Sequence, residues 1–348
     1  GVERLDQTAI DAFVNRFLLA VKNMLPPGSM QIRFAGRYVG GIWRDRAQEF
    51  VITVKPLTPF QFKYVNDTVR SLLPVGQQPD LYAAHVMHMT GGHPGGMIKM
   101  LERMDFTQPV AHQLQQYRTT YADLVLTIAN EIRASIPEPL QPIFDVLSVF
   151  RRYNYRLLDK IILAGLLDYR GDADTLEKDL TATYLVERKD GFIQDDIARR
   201  VSAIRLRWEE PEGFFAVCKK ARDIYEEDLC DTPSERPEFI AIEGHYQELQ
   251  VQYYQNDQTL QARQTLDHSF FADNGILHRY LQVLRSKPNV PDIKANLITL
   301  LEDEGKEWEF RFVLNFFLRG ENQYADQPYQ KMLTQVKTFF GQKGGKAA

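Results

Sequence analysis

Tyr184-Leu185-Val186-Glu187-Arg188-Lys189-Asp190-Gly191-Phe192-Ile193-Gln194 places two β-prone runs on either side of an Asp-Gly pair. Such a pair suits a two-residue hairpin turn, because both central residues of that turn take positive φ. Three helical patterns precede the hairpin: Leu140–Tyr153, Tyr155–Ala164 and Asp174–Thr183. Gly165-Leu166-Leu167 makes the turn after the second, and Asp172 or Asp174 supplies an N-cap for the third. Asp195–Arg207 follows as a closing helix.

Three helices, a hairpin and a closing helix are the order of a winged helix, assigned to residues 139–208. Ile136-Pro137-Glu138-Pro139 marks its upstream boundary. Before that boundary the pattern is helical from Thr58-Pro59, a good cap with proline at the first helical position. Helices are expected at Phe60–Leu73, Pro79–Met89, Met97–Met104 and Val110–Ser135, broken at Thr90-Gly91-Gly92-His93-Pro94-Gly95-Gly96. Further upstream, an amphipathic helix over Thr8–Leu25 stops at Pro26-Pro27-Gly28. Strands follow at Gln31–Ala35 and Phe50–Val54. One helix and two strands cannot cover both faces of a parallel sheet, so residues 1–57 read as part of a larger α/β core.

After Glu209 the pattern is helical throughout: Pro211–Leu229, Glu238–Asn256, Thr259–Phe271, Gly275–Leu284, Pro291–Gly305, Trp308–Leu318 and Asp326–Phe340, with no fixed repeat period. The fold class expected is mainly α (α+β). It comprises a partial P-loop α/β core remnant (1–57), a helical lid (58–138), a winged helix (139–208) and a C-terminal helical region (209–348).

Composition constrains the partners. A formal net charge of −4 gives no global attraction to nucleic acid or anionic membrane. Two cysteines, Cys218 and Cys230, make neither a disulfide framework nor a zinc site. No run of about 18 apolar residues spans a membrane, and a cytoplasmic location is expected.

Several pieces, in order, resemble the STAND class of AAA-related P-loop ATPases over about the first 205 residues. Gly1-Val2-Glu3-Arg4-Leu5-Asp6 resembles the segment directly after the Walker B aspartate. Arg33-Phe34-Ala35-Gly36-Arg37 is similar to the sensor-1 strand, and Val54-Lys55-Pro56-Leu57-Thr58 to the strand-to-lid junction. Gly92-His93-Pro94 matches the Gly-x-Pro element of the lid. The resemblance implies roles: Glu3 as catalytic or water-positioning acid, Arg37 as γ-phosphate sensor, and Pro94, beside His93, as the adenine contact. Ile193-Gln194-Asp195 stands where some members carry Met-His-Asp, so Gln194 replaces the histidine that touches the β-phosphate.

No Gly-x-x-x-x-Gly-Lys-Ser/Thr occurs in the chain, so no backbone amides, lysine or magnesium-binding hydroxyl cradle a triphosphate. ATP or ADP with magnesium is therefore expected only in an intact protein that supplies a Walker A half, and no cofactor for this chain alone. The resemblance implies the regulatory or relay portion of an ATP-dependent signalling switch, coupling nucleotide state to opening and oligomerisation. Partners would be a second copy, or another protein held through the C-terminal helices. Alternatives are a winged-helix DNA-binding regulator and a pseudo-ATPase protein-interaction scaffold.

Other residue patterns point to plainer roles. The expected third helix of the winged helix sets Asp174, Glu177 and Asp179 against Lys178, a poor charge for phosphate contacts. His85 and His88 lie at i, i+3 without a carboxylate or cysteine to complete a metal set. The pairs Tyr253-Tyr254, Phe270-Phe271, Phe316-Phe317 and Phe339-Phe340 read as core packing of adjacent helices. No Gly-x-Ser-x-Gly nucleophile motif is present.

Overall fold

The computed structural model describes residues 60–108, 122–134, 136–183, 185–189, 192–194, 197–231, 236–255, 269–306, 308–319 and 326–341. It also describes Leu19–Met24 and residues 12, 16, 26 and 267. Within them the chain is mainly α, with one antiparallel two-stranded hairpin. Glu3, Arg37 and both strands expected before residue 58 lie outside the described residues, as do Tyr184 and the Asp190-Gly191 tip. Of the Thr8–Leu25 helix, α1 (Leu19–Met24) is described.

Local chemistry explains most boundaries in the first half. Helix α2 runs Phe62–Leu72, and α3 runs Pro79–Thr90 with its proline in the first turn. Helix α4 spans Pro94–Arg103, three residues earlier than expected at its start, because the His93 side chain caps it. Helix α5 covers Ala122–Arg133.

A three-residue 3-10 turn, Glu138–Leu140, leads into α6 (Gln141–Leu147). The helix expected over Leu140–Tyr153 therefore stops at Leu147. Two tertiary bonds hold the non-helical run after it. The Val149 carbonyl accepts from Gln247 Nε2 at 2.8 Å, and Arg151 reaches Glu243. The chain restarts as α7 (Tyr155–Leu163), where the Asn154 side chain accepts from Leu157 N–H at 2.9 Å. Asp172 caps α8 (Ala173–Ala182) through Thr175 N–H at 2.7 Å. Strands β1 (Glu187–Lys189) and β2 (Phe192–Gln194) pair Glu187 with Gln194 and Lys189 with Phe192. Helix α9 (Ile197–Glu209) follows.

The second half holds α10 (Pro211–Cys230), α11 (Pro237–Gln255), α12 (Ile276–Arg285), α13 (Val290–Lys306), α14 (Trp308–Arg319) and α15 (Gln327–Gly341). Helix α11 is its axis, contacting α10, α12, α13 and α14. Every residue from Glu238 to Val251 is buried, so this helix has no solvent face there. Gly244 permits the close approach: a Cβ there would sit 3.2 Å from Tyr225 Cβ and 3.2 Å from Tyr280 Cε1. One apolar cluster runs through the molecule from Val65 on α2 to Val336 on α15. Among the described residues no helix is long and apolar enough to cross a membrane.

Candidate functional site

The turn between α3 and α4 is built by glycine geometry and local hydrogen bonds. Gly91 ends α3 in the left-handed region, φ 61°, donating to Met87 O at 2.8 Å. Gly92 continues at φ 77° and donates to Thr90 Oγ1 at 3.3 Å. Thr90 Oγ1 itself donates to Val86 O at 2.7 Å. His93 N–H donates to Thr90 O at 2.9 Å, and His93 Nδ1 accepts from Gly96 N–H at 3.1 Å. That acceptor role puts the proton of a neutral His93 on Nε2.

Two further contacts seat the turn. Phe60 N–H donates to Gly92 O at 3.0 Å, tying it to the start of the helical region. On the other side, a Cβ built on Gly91 would lie 3.0 Å from Arg200 Cβ on α9. Thr90, Gly91, Gly92 and Gly96 are buried, His93 and Pro94 are half-buried, and Gly95 is exposed. The lip offered to a ligand is thus His93-Pro94-Gly95, above a buried, hydrogen-bonded base.

Arg200 connects this turn to a buried ionic network absent from the sequence reading. Glu309, at the start of α14, accepts from Arg199 Nη2 at 2.6 Å and from the Tyr246 hydroxyl at 3.0 Å. Arg200 Nε lies 3.7 Å from the same carboxylate. Burial would raise the Glu309 carboxyl, but Arg199, Arg200 and Arg151 outweigh it and hold the group at about 2. Burial also opposes the charge of Arg199, yet Glu309 raises its pKa.

A second node lies one turn along α11. Arg151 binds Glu243 through both ends of its fork, Nε to Oε2 at 3.1 Å and Nη2 to Oε1 at 2.8 Å. Its guanidinium also stacks over Tyr246, 4.3 Å from the ring centroid. Gln250 Nε2 donates to the Tyr246 hydroxyl at 2.9 Å. His245 packs against Phe270, Tyr280 and Phe310, with neither ring nitrogen hydrogen-bonded. Burial, and next Arg279, hold its pKa down at about 3. The available signal was compositional: Glu243, Gln247 and Glu248 interrupt a helix whose apolar residues leave no polar stripe.

The other sequence candidates separate. His93 and Pro94 sit together on the turn. Gln194 lies in β2 opposite Glu187. His85 and His88 serve the packing of α3 on α14: His88 stacks on Phe312 at 4.6 Å, and His85 lies 5.0 Å from Phe316. No group of three or more metal-ligating side chains occurs among the described residues. Cys218 is buried and burial pushes its thiol up, so it does not supply a thiolate nucleophile. Comparison with protein-family models, curated proteins and solved structures finds no match.

Proposed function

We propose that this chain is the relay portion of a STAND-like ATP-dependent switch, with residues 58–138 as lid and 139–208 as winged helix. The observation that carries the proposal is the seating of the Thr90–Gly96 turn. It presents Pro94 at a half-buried lip while its base rests on Phe60 and on Arg200 of α9. An adenine resting on Pro94 would press on a segment with little freedom to yield, so displacement passes to α9 and, through Arg200, to Glu309. The order α6, α7, α8, hairpin, α9 supports the winged-helix reading. Ligand-driven switching requires different contacts in two states, and the turn is where those contacts would differ.

The same reading assigns the γ-phosphate side to Glu3 and Arg37, and the triphosphate grip to a P-loop that residues 1–348 do not carry. DNA binding is the poorer reading, because Asp174 and Asp179 are exposed on α8 and Lys178 is bound to Asp174.

A titration with fluorescent ATP and magnesium tests the proposal. The chain alone should not bind, whereas a longer polypeptide carrying the P-loop should, and Pro94→Gly in it should weaken affinity about tenfold. Micromolar binding to the chain alone, or a Pro94→Gly protein that binds like its parent, would overturn it.

A further inference from the structure

The ring of His245 is enclosed by aromatic side chains from three directions. It is 4% exposed on α11, with centroids 5.1 Å from Phe270, 5.4 Å from Tyr280 on α12 and 6.0 Å from Phe310 on α14. Neither ring nitrogen has a hydrogen-bond partner among the described residues. An unsatisfied buried polar group costs free energy that a phenylalanine of similar shape would not. Packing therefore gives no reason for an imidazole here, and the reason lies in its chemistry.

The surrounding charges offer an imidazolium no acceptor. Burial, and next the Arg279 guanidinium of α12, both disfavour the charged ring. From α10, Glu226 accepts from the Tyr280 hydroxyl at 2.9 Å. On α14, Glu309 is held by Arg199 and Tyr246, and Arg311 by Asp326. On α11 itself, Glu243 is held by Arg151, while Glu248 binds Arg222 at 3.1 Å and lies 3.8 Å from Arg279. Burial pushes the Tyr246 and Tyr280 phenols up, so both stay neutral. His278 of α12 turns to Phe339 on α15, and Ser269-Phe270-Phe271 carries no charge.

We infer that His245 is an acid-sensitive latch: taking up a proton drives α12 off α11 in a local opening that precedes unfolding of the whole chain. Helix α12 is the wall built to respond. It has ten residues, is bounded by turns at Ala272–Gly275 and Ser286–Asn289, and carries Arg279, whose side chain is 59% exposed. Moving outward takes that cation away from the imidazolium and lets water reach the ring. Helix α14, by contrast, is tied to α9 through Glu309 and to α3 through the stack of Phe312 on His88. Opening uncovers the apolar face of α12, Leu277, Tyr280, Leu281 and Leu284. Short elements that open below the free energy of global unfolding are the usual units of such a change. Nothing in this inference requires nucleotide.

Hydrogen exchange of the full chain, read by mass spectrometry and corrected for the intrinsic pH dependence of exchange, tests it. In the open state the imidazole regains its ordinary pKa of 6.5, against about 3 when closed. Opening of α12 should therefore be about 30-fold more frequent at about pH 5 than at about pH 7.5. Amides of α12 should exchange faster than those of α7 at both pH values, and His245→Phe should remove the rise in α12. Protection of α12 that is the same at both pH values overturns the inference. So does a rise that persists in His245→Phe, or equal exchange in α7 and α12, since the fold would then open as one unit. The parent chain gives a reading that depends on no variant. Its His245 ring signals in NMR should not titrate over that range, and a folded ring that titrates near 6.5 would likewise overturn the latch. These measurements lack nucleotide, so no outcome bears on the ATP reading.

Discussion

The Thr90–Gly96 turn and the α11 network both bury polar groups, but they satisfy them over different distances in the chain. In the turn, Gly92 finds Thr90 two residues away, Gly96 finds His93 three away, and Thr90 finds Val86 four away. In the network, Arg151 and Glu243 are separated by 92 residues, Gln247 and Val149 by 98, and Arg199 and Glu309 by 110. A local set forms whenever the backbone makes the turn. A distant set exists only when the whole fold is complete, and each of its charges relies on a partner the unfolded chain does not hold nearby.

That contrast is broken most severely by removing one member of a distant pair. Glu243→Leu leaves the Arg151 guanidinium buried without its carboxylate and should lower stability by about 3–5 kcal/mol. Urea denaturation at neutral pH measures it. Arg151→Met combined with Glu243→Leu should recover most of the loss, because two apolar side chains leave no buried charge. Equal destabilisation by the single and double variants would assign the effect to packing, and the ionic account of α11 would fail.

Acid titration gives the next effect. His245 is held neutral, with a folded pKa of about 3 against the ordinary histidine value of 6.5. The unfolded chain therefore takes the proton first as pH falls. Stability is complete above 6.5 and declines through the interval down to about 3, by about 1.4 kcal/mol per pH unit at most. From about pH 7.5 to about pH 5 the expected loss is about 2 kcal/mol, and His245→Phe should remove it. Glu309 contributes in a lower window. Its pKa is depressed from 4.5 to about 2, so its stabilisation is present above 4.5 and is lost below it. A His245→Phe protein with an unchanged slope above pH 5 would show that other groups carry the acid sensitivity.

The same contrast explains what could be read before the fold was known. Pro79, the glycines at 91 and 165, Pro211 and the Asp172 cap act on their immediate neighbours, and the helices they bound are close to those expected. The turn was readable for the same reason, although the next helix begins at Pro94 rather than at the expected Met97. The interruption after Leu147 was not, because it depends on Gln247 and Glu243, which only the folded chain brings to Val149 and Arg151. Helix α11 was expected within a residue of its bounds, yet its central position was invisible. Burial from Glu238 to Val251 depends on four surrounding helices, not on its own period. The catalytic expectations at Glu3 and Arg37 lie outside the described residues.

The smallest effect separates conformation from packing within the turn itself. Gly91 and Gly165 have nearly the same backbone, φ 61° and φ 67°, and each follows a helix. Alanine at either position carries the strain of the left-handed region, about 1 kcal/mol. They differ in surroundings: a Cβ on Gly165 meets nothing within 4 Å, while one on Gly91 meets Arg200 Cβ at 3.0 Å. That atom is the root of its side chain, so relief requires α9 itself to shift. Gly91→Ala should therefore cost about 1 kcal/mol more than Gly165→Ala in thermal or urea unfolding. It should also raise hydrogen exchange in α9, where Gly165→Ala should not. Equal losses, with exchange in α9 unchanged, would mean that the turn does not rest on α9 in solution. The route from Pro94 through Arg200 to Glu309 would then lose its first step.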